Sequence, residues 1–298
     1  MKQVLKNYLE HLCGEEFVFM DFPLSELTSF KIGGPAKFFV SVQSKAVLIR
    51  LLSALHFIEE KNFIIGGGTK VLASDKGYDG VVIKLDFAEI LDNGTFVYAD
   101  AGAKFQDVLE FAKDKELSGL EWAAGLPGTV GGAIFMNAGA YGKEISDVVV
   151  CVDVLVNGNV VNMDATQLCF SHRTSIFQKN KWVVLGAYFY LEHGKKSAIQ
   201  KKQNETFKKR ISSQPYFTPS AGSTFRRPRP DFFVGTAIQE LGLQGLCIGG
   251  AQVSTKHAGF IVNNGGATAQ DVKKIIEQIK KEVYKKYKER LRPEYVMI

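Results

Sequence analysis

Glycine-rich backbone is the first feature of the sequence that indicates chemistry. Six glycines lie within the eighteen residues Gly125–Gly142 (GLPGTVGGAIFMNAGAYG), and three more are consecutive at Gly66–Gly68. Glycine loses more conformational entropy than alanine on folding, about 0.5–1 kcal/mol inside a regular element, so this density indicates positive φ angles or a ligand against the main chain. Consecutive N–H groups in such loops can bind a pyrophosphate. Tight turns without a ligand are the alternative for both segments.

The spacing of the glycines argues against two common nucleotide motifs. The stretch 66–70 (GGGTK) lacks both the spacing of a P-loop and the third glycine of the dinucleotide fingerprint, which disfavours an NTPase or an ordinary Rossmann dehydrogenase. The cysteines form no CxxC pair and have no histidine at metal-ligand spacing. The sequence therefore indicates neither a zinc site nor a disulfide framework, and we expect buried free thiols at Cys13, Cys151, Cys169 and Cys247.

The composition is that of an ordinary globular protein. The 298 residues are 46% hydrophobic and 23% charged, which is enough for two or three domains with a substantial core. No apolar run reaches the roughly 18 residues of a membrane span, and the beginning, MKQVLKNYLEHLCGEE, lacks the features of a signal peptide. We therefore expect a cytoplasmic protein that does not associate with membranes.

The net charge of +6 is concentrated in residues 195–210 and 273–292. Such a surplus suits a protein that binds anionic small molecules such as nucleotides, with nucleic acid as the alternative partner. In the second segment the basic residues share a predicted helix with an apolar face, so we interpret the charged face as solvated and expect no nucleic-acid binding. The apolar face consists of Val272, Ile275, Ile276, Ile279, Val283, Tyr287 and Leu291.

Helix and strand patterns alternate along the chain, which predicts an α+β fold. Asn93-Gly94 and Asn157-Gly158 are typical hairpin turns. The polar, lysine-rich stretch 197–210 and the prolines after it predict a domain boundary. Helices are predicted over 44–62, 104–117, from 236 and after the capping box Thr268–Asp271, and strands over 63–65, 81–85, 95–101, 148–156, 160–163, 182–191, 247–253 and 259–263.

Seven sequence segments, in one order over nearly the whole chain, resemble the UDP-N-acetylenolpyruvoylglucosamine reductase (MurB) family. Because the segments follow the family order over nearly the whole chain, chance similarity does not explain them. In that family the glycine-rich stretch lies against FAD. The segments are TSFKIGGPA (28–36), IIGGGTKVLASD (64–75), GLEWAAGLPGTVGGAIFMNAGAYG (119–142), FSHRTSIF (170–177), AGSTFRRP (221–228), GGAQVSTKHAGFIVNNGGATAQDV (249–272) and LRPEYV (291–296).

The resemblance implies a two-lobed FAD-binding region of the vanillyl-alcohol-oxidase-like (PCMH-type) fold plus a smaller α+β substrate-binding domain. On this basis we assign residues 1–85 to the first FAD-binding lobe and 86–205 to the second. Residues 206–290 form the expected substrate-binding domain, and 291–298 a tail that returns to the active site.

The family reaction implies the cofactors and substrates. NADPH reduces non-covalently bound FAD, and the reduced flavin passes hydride to the double bond of UDP-N-acetylglucosamine enolpyruvate. The product, UDP-N-acetylmuramate, is a precursor of peptidoglycan, which links the family to cell-wall biogenesis, cell shape and cell division. The flavin performs the hydride chemistry, while the protein orients it and stabilises charge. We expect a monomer.

Three residues match the family's catalytic positions. Hydride addition to the outer carbon of the enolpyruvyl group leaves negative charge that spreads into the carboxylate, so a cation and a proton donor are required. Arg173 matches the arginine that binds the carboxylate, and Ser223 matches the serine that acts as the acid. Glu294 matches the glutamate that acts with the arginine, and a chain reversal at the neighbouring Pro293, expected to end the last helix, would return it to the flavin.

The resemblance also implies binding residues. Substrate contacts are expected at Arg226, Arg227, His257 and Asn263, although a histidine such as His257 is more often a hydrogen-bonded structural residue than a catalyst. The expected cofactor-binding residues are Gly66, Gly67, Gly68, Thr69, Lys70, Val71, Leu72, Pro127, Gly128, Thr129, Gly131, Gly132, Ala133, Asn137, Gly139, Ala140, Tyr141 and Gly142.

Several positions depart from the family pattern. Arg226-Arg227 stands where Lys-Asn is usual, His172 where tyrosine is usual, and Lys70 where asparagine is common. The arginines would exchange an amide contact to the substrate nucleotide for a charge, and they are also candidates to stabilise a serine alkoxide. A lysine at position 70 would suit a cofactor phosphate.

Other functions remain open at this point. A related flavin oxidase would commonly attach FAD through a histidine or cysteine in the glycine loop, and Gly66–Leu72 contains neither. A nucleotide-binding module without turnover is the alternative outside enzymes, and the presence of Arg173, Ser223 and Glu294 argues against it. The short segment between Thr174 and Ala221 resembles the second type of the family, which lacks a tyrosine-bearing loop that closes over the substrate.

Overall fold

The computed structural model describes residues 2–298. The chain forms two compact units, each assembled from separate segments. The first unit contains residues 2–20, 38–67 and 80–209, and the second contains 21–37, 68–79 and 210–298. The ranges assigned from the sequence as functional regions (1–85, 86–205, 206–290 and 291–298) stay predictions.

Helices occur along the whole described chain. Within it, each helix is too short or too polar to cross a lipid bilayer. Nor do the described residues bring three His, Cys, Asp or Glu side chains into a metal-binding group. The α-helices are α1 (Lys2–Cys13), α2 (Lys45–Phe57), α3 (Phe105–Asp114), α4 (Val130–Met136), α5 (Lys196–Ser213), α6 (Val234–Glu240) and α7 (Ala269–Tyr287).

Short strands connect and flank these helices. They are β1 (Val18–Pro23), β2 (Pro35–Val42), β3 (Asn62–Ile65), β4 (Val71–Leu72), β5 (Tyr78–Leu85), β6 (Ile90–Asn93), β7 (Phe96–Asp100), β8 (Leu117–Ser118), β9 (Gly139–Ala140), β10 (Lys143–Glu144), β11 (Val149–Val156), β12 (Asn159–Asp164), β13 (Val183–Tyr190), β14 (Glu192–His193), β15 (Ser220–Ser223), β16 (Phe225–Arg226), β17 (Cys247–Ile248), β18 (Ala251–Val253), β19 (Phe260–Asn263), β20 (Arg292–Pro293) and β21 (Val296–Met297).

A five-stranded antiparallel sheet is central to the first unit, with the strand order β12-β11-β13-β7-β6. A four-stranded sheet has the order β1-β2-β5-β3, in which β3 and β5 run parallel. Alternate side chains of β7 and β13, such as Val97 and Phe189, are buried in one core with Leu51 of α2 and Ile134 of α4. This core fixes the ends of β3 and α4, where the glycine-rich segments lie.

The second unit is built on a four-stranded sheet of order β15-β19-β18-β17, on which α7 packs. The apolar row predicted for this helix is buried, including Val272, Ile276 and Val283. The helix begins at the predicted capping box, where Thr268 and Asp271 exchange side-chain to backbone hydrogen bonds. Two small strand pairs, β16 with β20 and β4 with β21, attach the chain terminus to this unit.

Most predicted elements are confirmed to within a few residues. Ser44 caps α2 by accepting a hydrogen bond from the Val47 N–H group, and the hairpin turn at Asn157-Gly158 joins β11 to β12. The predicted strand 247–253 is instead a hairpin, because Gly249 has a φ of 54° and turns β17 back as β18.

Residues 197–210, where a domain boundary was predicted, form most of α5, and the last segment of the second unit begins at Arg210. Two other sequence expectations are wrong. The last helix ends at Tyr287, where the next residue, Lys288, has a φ of 60°, and not at Pro293. The four cysteines are free but not buried: Cys169 and Cys247 are exposed, and Cys13 and Cys151 are half-buried.

Candidate active site

The first glycine loop begins where β3 ends. The N–H groups of Gly67, Gly68 and Thr69 donate no hydrogen bond to any of residues 2–298. Backbone N–H groups are strong donors that proteins leave without a protein acceptor only where water or a ligand accepts from them. Successive donors of this kind suit an anion such as a pyrophosphate.

Main-chain packing accounts for part of the glycine density. A Cβ atom on Gly67 would lie 2.7 Å from the Cα of Gly128, and one on Gly66 would lie 2.5 Å from the Thr129 Oγ1 atom. Glycine is therefore required here so that the two glycine-rich segments can approach each other. Thr129 also caps α4, because its Oγ1 accepts from the Gly132 N–H group at 3.3 Å.

Other glycines of the second segment leave space. A Cβ atom on Gly132 would meet only the Thr129 Oγ1 atom, at 3.5 Å, and one on Gly142 would meet nothing within 4 Å. Gly131, in contrast, packs against Ala101 at 3.1 Å. The open positions can accommodate a flat ligand, whereas the packed positions serve the fold.

Two predicted cofactor residues are held by the protein. Asn137 is fully buried, and its side chain donates to the Ser171 carbonyl and accepts from the Ser146 N–H group, both at 3.1 Å. Tyr141 is 40% exposed, and its ring lies 4.9 Å from the Lys209 ammonium. For Asn137 a cofactor contact would use atoms that already serve the fold, and both contacts stay predictions.

Arg173 projects from a tight turn. Ser171 and Thr174 close the turn with reciprocal backbone hydrogen bonds of 3.1 and 2.9 Å, and Arg173 adopts a φ of 55°. Its guanidinium donates to the carbonyl of Gly139 at 2.6 Å and to that of Asn137 at 3.4 Å. The glycine-rich segment therefore orients this cation within the first unit.

Ser223 ends β15, next to a bulge in the pairing with β19. Its side chain is exposed, and its hydroxyl forms no hydrogen bond with the described part of the chain. The preceding Gly222 has a φ of 71°, a conformation that side-chain-bearing residues rarely adopt. The hydroxyl is therefore available to a bound molecule.

Glu294 and Ser223 come together through Lys70, within the second unit. The Lys70 Nζ atom lies 2.9 Å from the Glu294 Oε1 atom and donates to the Ser223 carbonyl at 2.8 Å. The Glu294 side chain is only 6% exposed and that of Lys70 24%. The ion pair is thus largely shielded from water, which strengthens it relative to a surface pair.

The backbone fixes this arrangement. Val296 donates to the Lys70 carbonyl at 2.8 Å, which starts the parallel pairing of β21 with β4. The Tyr295 hydroxyl lies 2.9 Å from Thr224 Oγ1, and burial raises the pKa of Tyr295 above its ordinary value. The predicted cofactor residue Leu72 is buried in the core of this unit, and its carbonyl accepts from the Ile298 N–H group at 3.3 Å, so its cofactor contact stays a prediction.

The predicted substrate residues have varied surroundings. Arg226 is half-buried in β16, and Arg227 stacks on the exposed Phe233 ring at 4.5 Å. Burial lowers the pKa of His257, whose Nδ1 accepts from the Gly259 N–H group at 3.0 Å.

Asn263 has fully engaged side-chain atoms. Its amide donates to the Phe30 carbonyl at 3.0 Å, and its Oδ1 accepts from the N–H groups of Gly265 and Ala267. Asn263 would have to lose one of these bonds in order to contact the substrate. Its substrate contact stays a prediction, as do those of Arg226, Arg227 and His257.

Two features of the site were missed at the sequence level. The pairing of Lys70 with Glu294 had no sequence signal beyond the unusual lysine in a glycine loop. The contact between the Thr224 and Tyr295 hydroxyls had no sequence signal either, except that each residue adjoins a predicted catalytic residue. Both depend on strand pairs between segments far apart in sequence, which spacing does not reveal.

Two family models and several curated proteins match the chain. The family description "FAD binding domain" matches residues 36–164, and "UDP-N-acetylenolpyruvoylglucosamine reductase, C-terminal domain" matches 214–298. Proteins named UDP-N-acetylenolpyruvoylglucosamine reductase from Caldanaerobacter subterraneus and Pseudothermotoga lettingae are 43% and 47% identical to the chain. The first alignment covers 100% of this chain and 99% of the relative, and the second covers 89% and 92%.

A solved structure has a similar fold. The crystal structure of UDP-N-acetylenolpyruvylglucosamine reductase (MurB) from Thermus caldophilus superposes with a TM-score of 0.81 at 28% identity, over 94% of this chain and 97% of that one. The α+β architecture and the FAD-binding region expected from the sequence are confirmed. Since relatives far above 30% identity span the whole chain, and their C-terminal domain covers the segment with Ser223 and Glu294, the chain belongs to the UDP-N-acetylenolpyruvoylglucosamine reductase (MurB) family.

Proposed function

We propose that this protein reduces UDP-N-acetylglucosamine enolpyruvate to UDP-N-acetylmuramate, with NADPH as the reductant and FAD as the bound cofactor. The observation that carries the proposal is the joining of Ser223 and Glu294 through Lys70 in a chain whose relatives carry this reductase name. An exposed hydroxyl and a shielded carboxylate on one scaffold suit the acid chemistry of this reduction.

The residues present fit FAD. The N–H groups of Gly67, Gly68 and Thr69 have no acceptor within residues 2–298 and would bind the negatively charged pyrophosphate. Gly132 would allow a flat ring system close to the main chain. Bound FAD supplies the hydride chemistry, since it accepts hydride from NADPH and delivers it to the substrate. Gly66–Leu72 contains no histidine or cysteine for a covalent link.

The catalytic residues have separate tasks. As hydride adds to the outer carbon, the double-bond electrons move toward the inner carbon and the carboxylate. The Ser223 hydroxyl gives its proton to the inner carbon, and water returns a proton to the serine. Arg173 binds the substrate carboxylate with its charged guanidinium, and Glu294 is the third catalytic residue.

The remaining assignments concern binding and surroundings. Arg226 and Arg227 would bind the diphosphate by charge-assisted hydrogen bonds, with His257 and Asn263 as further contacts. Because burial lowers its pKa, His257 is neutral at pH 7 and would act as a hydrogen-bond partner. The protein acts in the cytoplasm as a monomer, apart from membranes and nucleic acid, with substrate binding in 206–290 and the tail 291–298 at the active site.

Anaerobic mixing tests the proposal. The purified protein, reduced with NADPH, loses flavin absorbance, and addition of UDP-N-acetylglucosamine enolpyruvate restores it. Ser223→Ala keeps the first step and slows the second by roughly 10²-fold or more, the usual contribution of a general acid. Ser220→Ala, on the same strand, is the matched control and leaves both steps unchanged. A wild-type flavin that stays reduced with this substrate would refute the function.

Acid precipitation separates the reductase from a covalent flavin oxidase. The yellow colour remains in the supernatant if FAD is bound without a covalent link. A coloured pellet would contradict the proposed mode of binding.

A further inference from the structure

The ammonium of Lys70 forms the bridge between the two acid-chemistry residues of the second unit. It lies 2.9 Å from Glu294 Oε1 and 2.8 Å from the Ser223 carbonyl oxygen. Lysine has three N–H donors and no acceptor, so two of them are directed at these partners. The sequence predicted a different partner for this side chain, a phosphate of the cofactor.

We propose that Lys70 is a positioning residue for the reduction of the enolpyruvyl group, which holds Ser223 and Glu294 in one arrangement and supplies positive charge beside the serine. The inference rests on the proposed function and deepens it. It concerns the second half-reaction, in which the substrate reoxidises the flavin, and not cofactor binding.

The surroundings of Lys70 hold the side chain in place. Its own carbonyl accepts from the Val296 N–H group at 2.8 Å, so the backbone is fixed by the pairing of β4 with β21. Its Nζ atom lies 5.9 Å from the centre of the Tyr295 ring, which adds a cation–π attraction. The lysine is therefore an ordered part of the second unit.

Gly222 provides the space that the lysine occupies. A Cβ atom on Gly222 would lie 3.2 Å from the Lys70 Nζ atom and 3.4 Å from its Cε atom. The φ of 71° at Gly222 also turns the chain so that the Ser223 carbonyl is available to the ammonium. The unusual lysine and the glycine before the serine thus fit each other.

Charge gives the bridge a chemical role. When Ser223 releases its proton, negative charge develops on its oxygen, and an ammonium hydrogen-bonded to the same residue lowers the energy of that state. The sequence offered Arg226 and Arg227 for this task; Arg227 stacks on Phe233, and Arg226 is half-buried in β16. Lys70 donates directly to the backbone carbonyl of Ser223 within the second unit.

The test compares Lys70→Met, Lys70→Gln and Lys70→Arg in the FAD-loaded enzyme. Lys70→Met is expected to slow flavin reoxidation by the enolpyruvyl substrate at least about tenfold, the effect of losing a charge-assisted hydrogen bond. Lys70→Arg restores part of the rate because it keeps the charge, and Lys70→Gln does not. Lys280→Met, which removes a lysine from the exposed pair with Glu277 on α7, is the matched control and leaves the rate unchanged.

Two further measurements distinguish positioning from a structural or a phosphate-binding role. Flavin reduction by NADPH and the FAD dissociation constant, measured by quenching of flavin fluorescence, stay within about twofold of wild type in Lys70→Met. The double variant Lys70→Met with Glu294→Gln is no slower than the slower single variant, because the two residues act through one contact.

The proposal is overturned if Lys70→Met reoxidises at the wild-type rate, or if its effects and those of Glu294→Gln simply multiply. A raised FAD dissociation constant with normal reoxidation at saturating FAD would instead assign Lys70 to the cofactor phosphate. If Lys70→Met does not fold, Lys70→Gln and Lys70→Arg decide by the same comparison. Failure of the proposed function would appear already in the wild type, whose reduced flavin would not respond to the substrate.

Discussion

The backbone N–H group of Glu294 donates to the carbonyl of Thr224 at 2.8 Å. This bond places the C-terminal tail beside the residue that follows Ser223, and β16 and β20 continue the contact from Phe225 to Arg292. The register of the tail, and not the end of the last helix, therefore determines where the Glu294 carboxylate lies.

The pairing of the tail with β4 can be tested with proline. Val296→Pro removes the N–H group that bonds to the Lys70 carbonyl, so it should displace the tail and slow flavin reoxidation by the substrate at least about tenfold. Met297→Pro is the control, because in this parallel pair the N–H groups of Val296 and Ile298 point to β4. Stopped-flow reoxidation measures both, and equal rates for the two variants would show that the pairing does not position Glu294.

Glycine substitutions separate folding from flavin binding. Gly132→Ala should fold as well as wild type, because its Cβ meets only Thr129 and alanine favours the helix by about 1 kcal/mol, yet it should weaken FAD binding if the flavin lies there. Gly67→Ala should instead destabilise the fold, since its Cβ would lie 2.7 Å from the Gly128 Cα. Thermal unfolding without FAD and flavin fluorescence titration measure the two effects. An unchanged FAD affinity in Gly132→Ala would remove this residue from the cofactor site.

Local patterns explain how much of the fold the sequence predicted. The helix α2 has a serine cap and a buried row of Leu48, Leu51 and Leu55, all features of neighbouring residues. The helix α5 was missed because two of the buried positions in its row carry Gln203 and Arg210. Those polar residues interrupt the apolar pattern that identifies a helix.

The candidate site could be predicted only as separate motifs. The resemblance identified Ser223 and Glu294, but their connection through Lys70 depends on strand pairs between segments from both ends of the chain. The high glycine density also has two different causes, close main-chain packing and space for a ligand, which the sequence alone does not distinguish. Gly67 is required by packing against Gly128, whereas Gly132 leaves open space.

Buried tyrosines predict a loss of stability at alkaline pH. Burial raises the pKa of Tyr295, and burial together with the Asp100 carboxylate raises the pKa of Tyr98, each above the ordinary value of 10.0. The unfolded chain therefore loses these protons first as the pH rises. The stabilisation is complete below pH 10 and declines progressively above it.

Tyrosine to phenylalanine variants measure this dependence. Urea unfolding is measured from about pH 9 to about pH 11, roughly one unit on either side of the ordinary tyrosine pKa. Over this range, Tyr98→Phe and Tyr295→Phe should each reduce the decline of the unfolding free energy with pH. Tyr190→Phe, which alters a phenol that is 47% exposed, is the control and should keep the wild-type slope. Identical slopes in all variants would show that other groups cause the alkaline instability.

The last prediction concerns the geometry of Arg173. Its left-handed φ of 55° and its bonds to the carbonyls of Gly139 and Asn137 hold a planar guanidinium in one orientation, and such conformations persist where the surroundings enforce them. Arg173→Lys keeps the charge but loses the fork that binds a carboxylate through two parallel bonds, so we expect reoxidation by the substrate to slow roughly hundredfold. Reduction by NADPH should be unaffected, and Arg50→Lys, an exposed position on α2, should change neither rate. A lysine variant with normal reoxidation would mean that charge alone suffices at this position and that the orientation set by Gly139 has no part in the reaction.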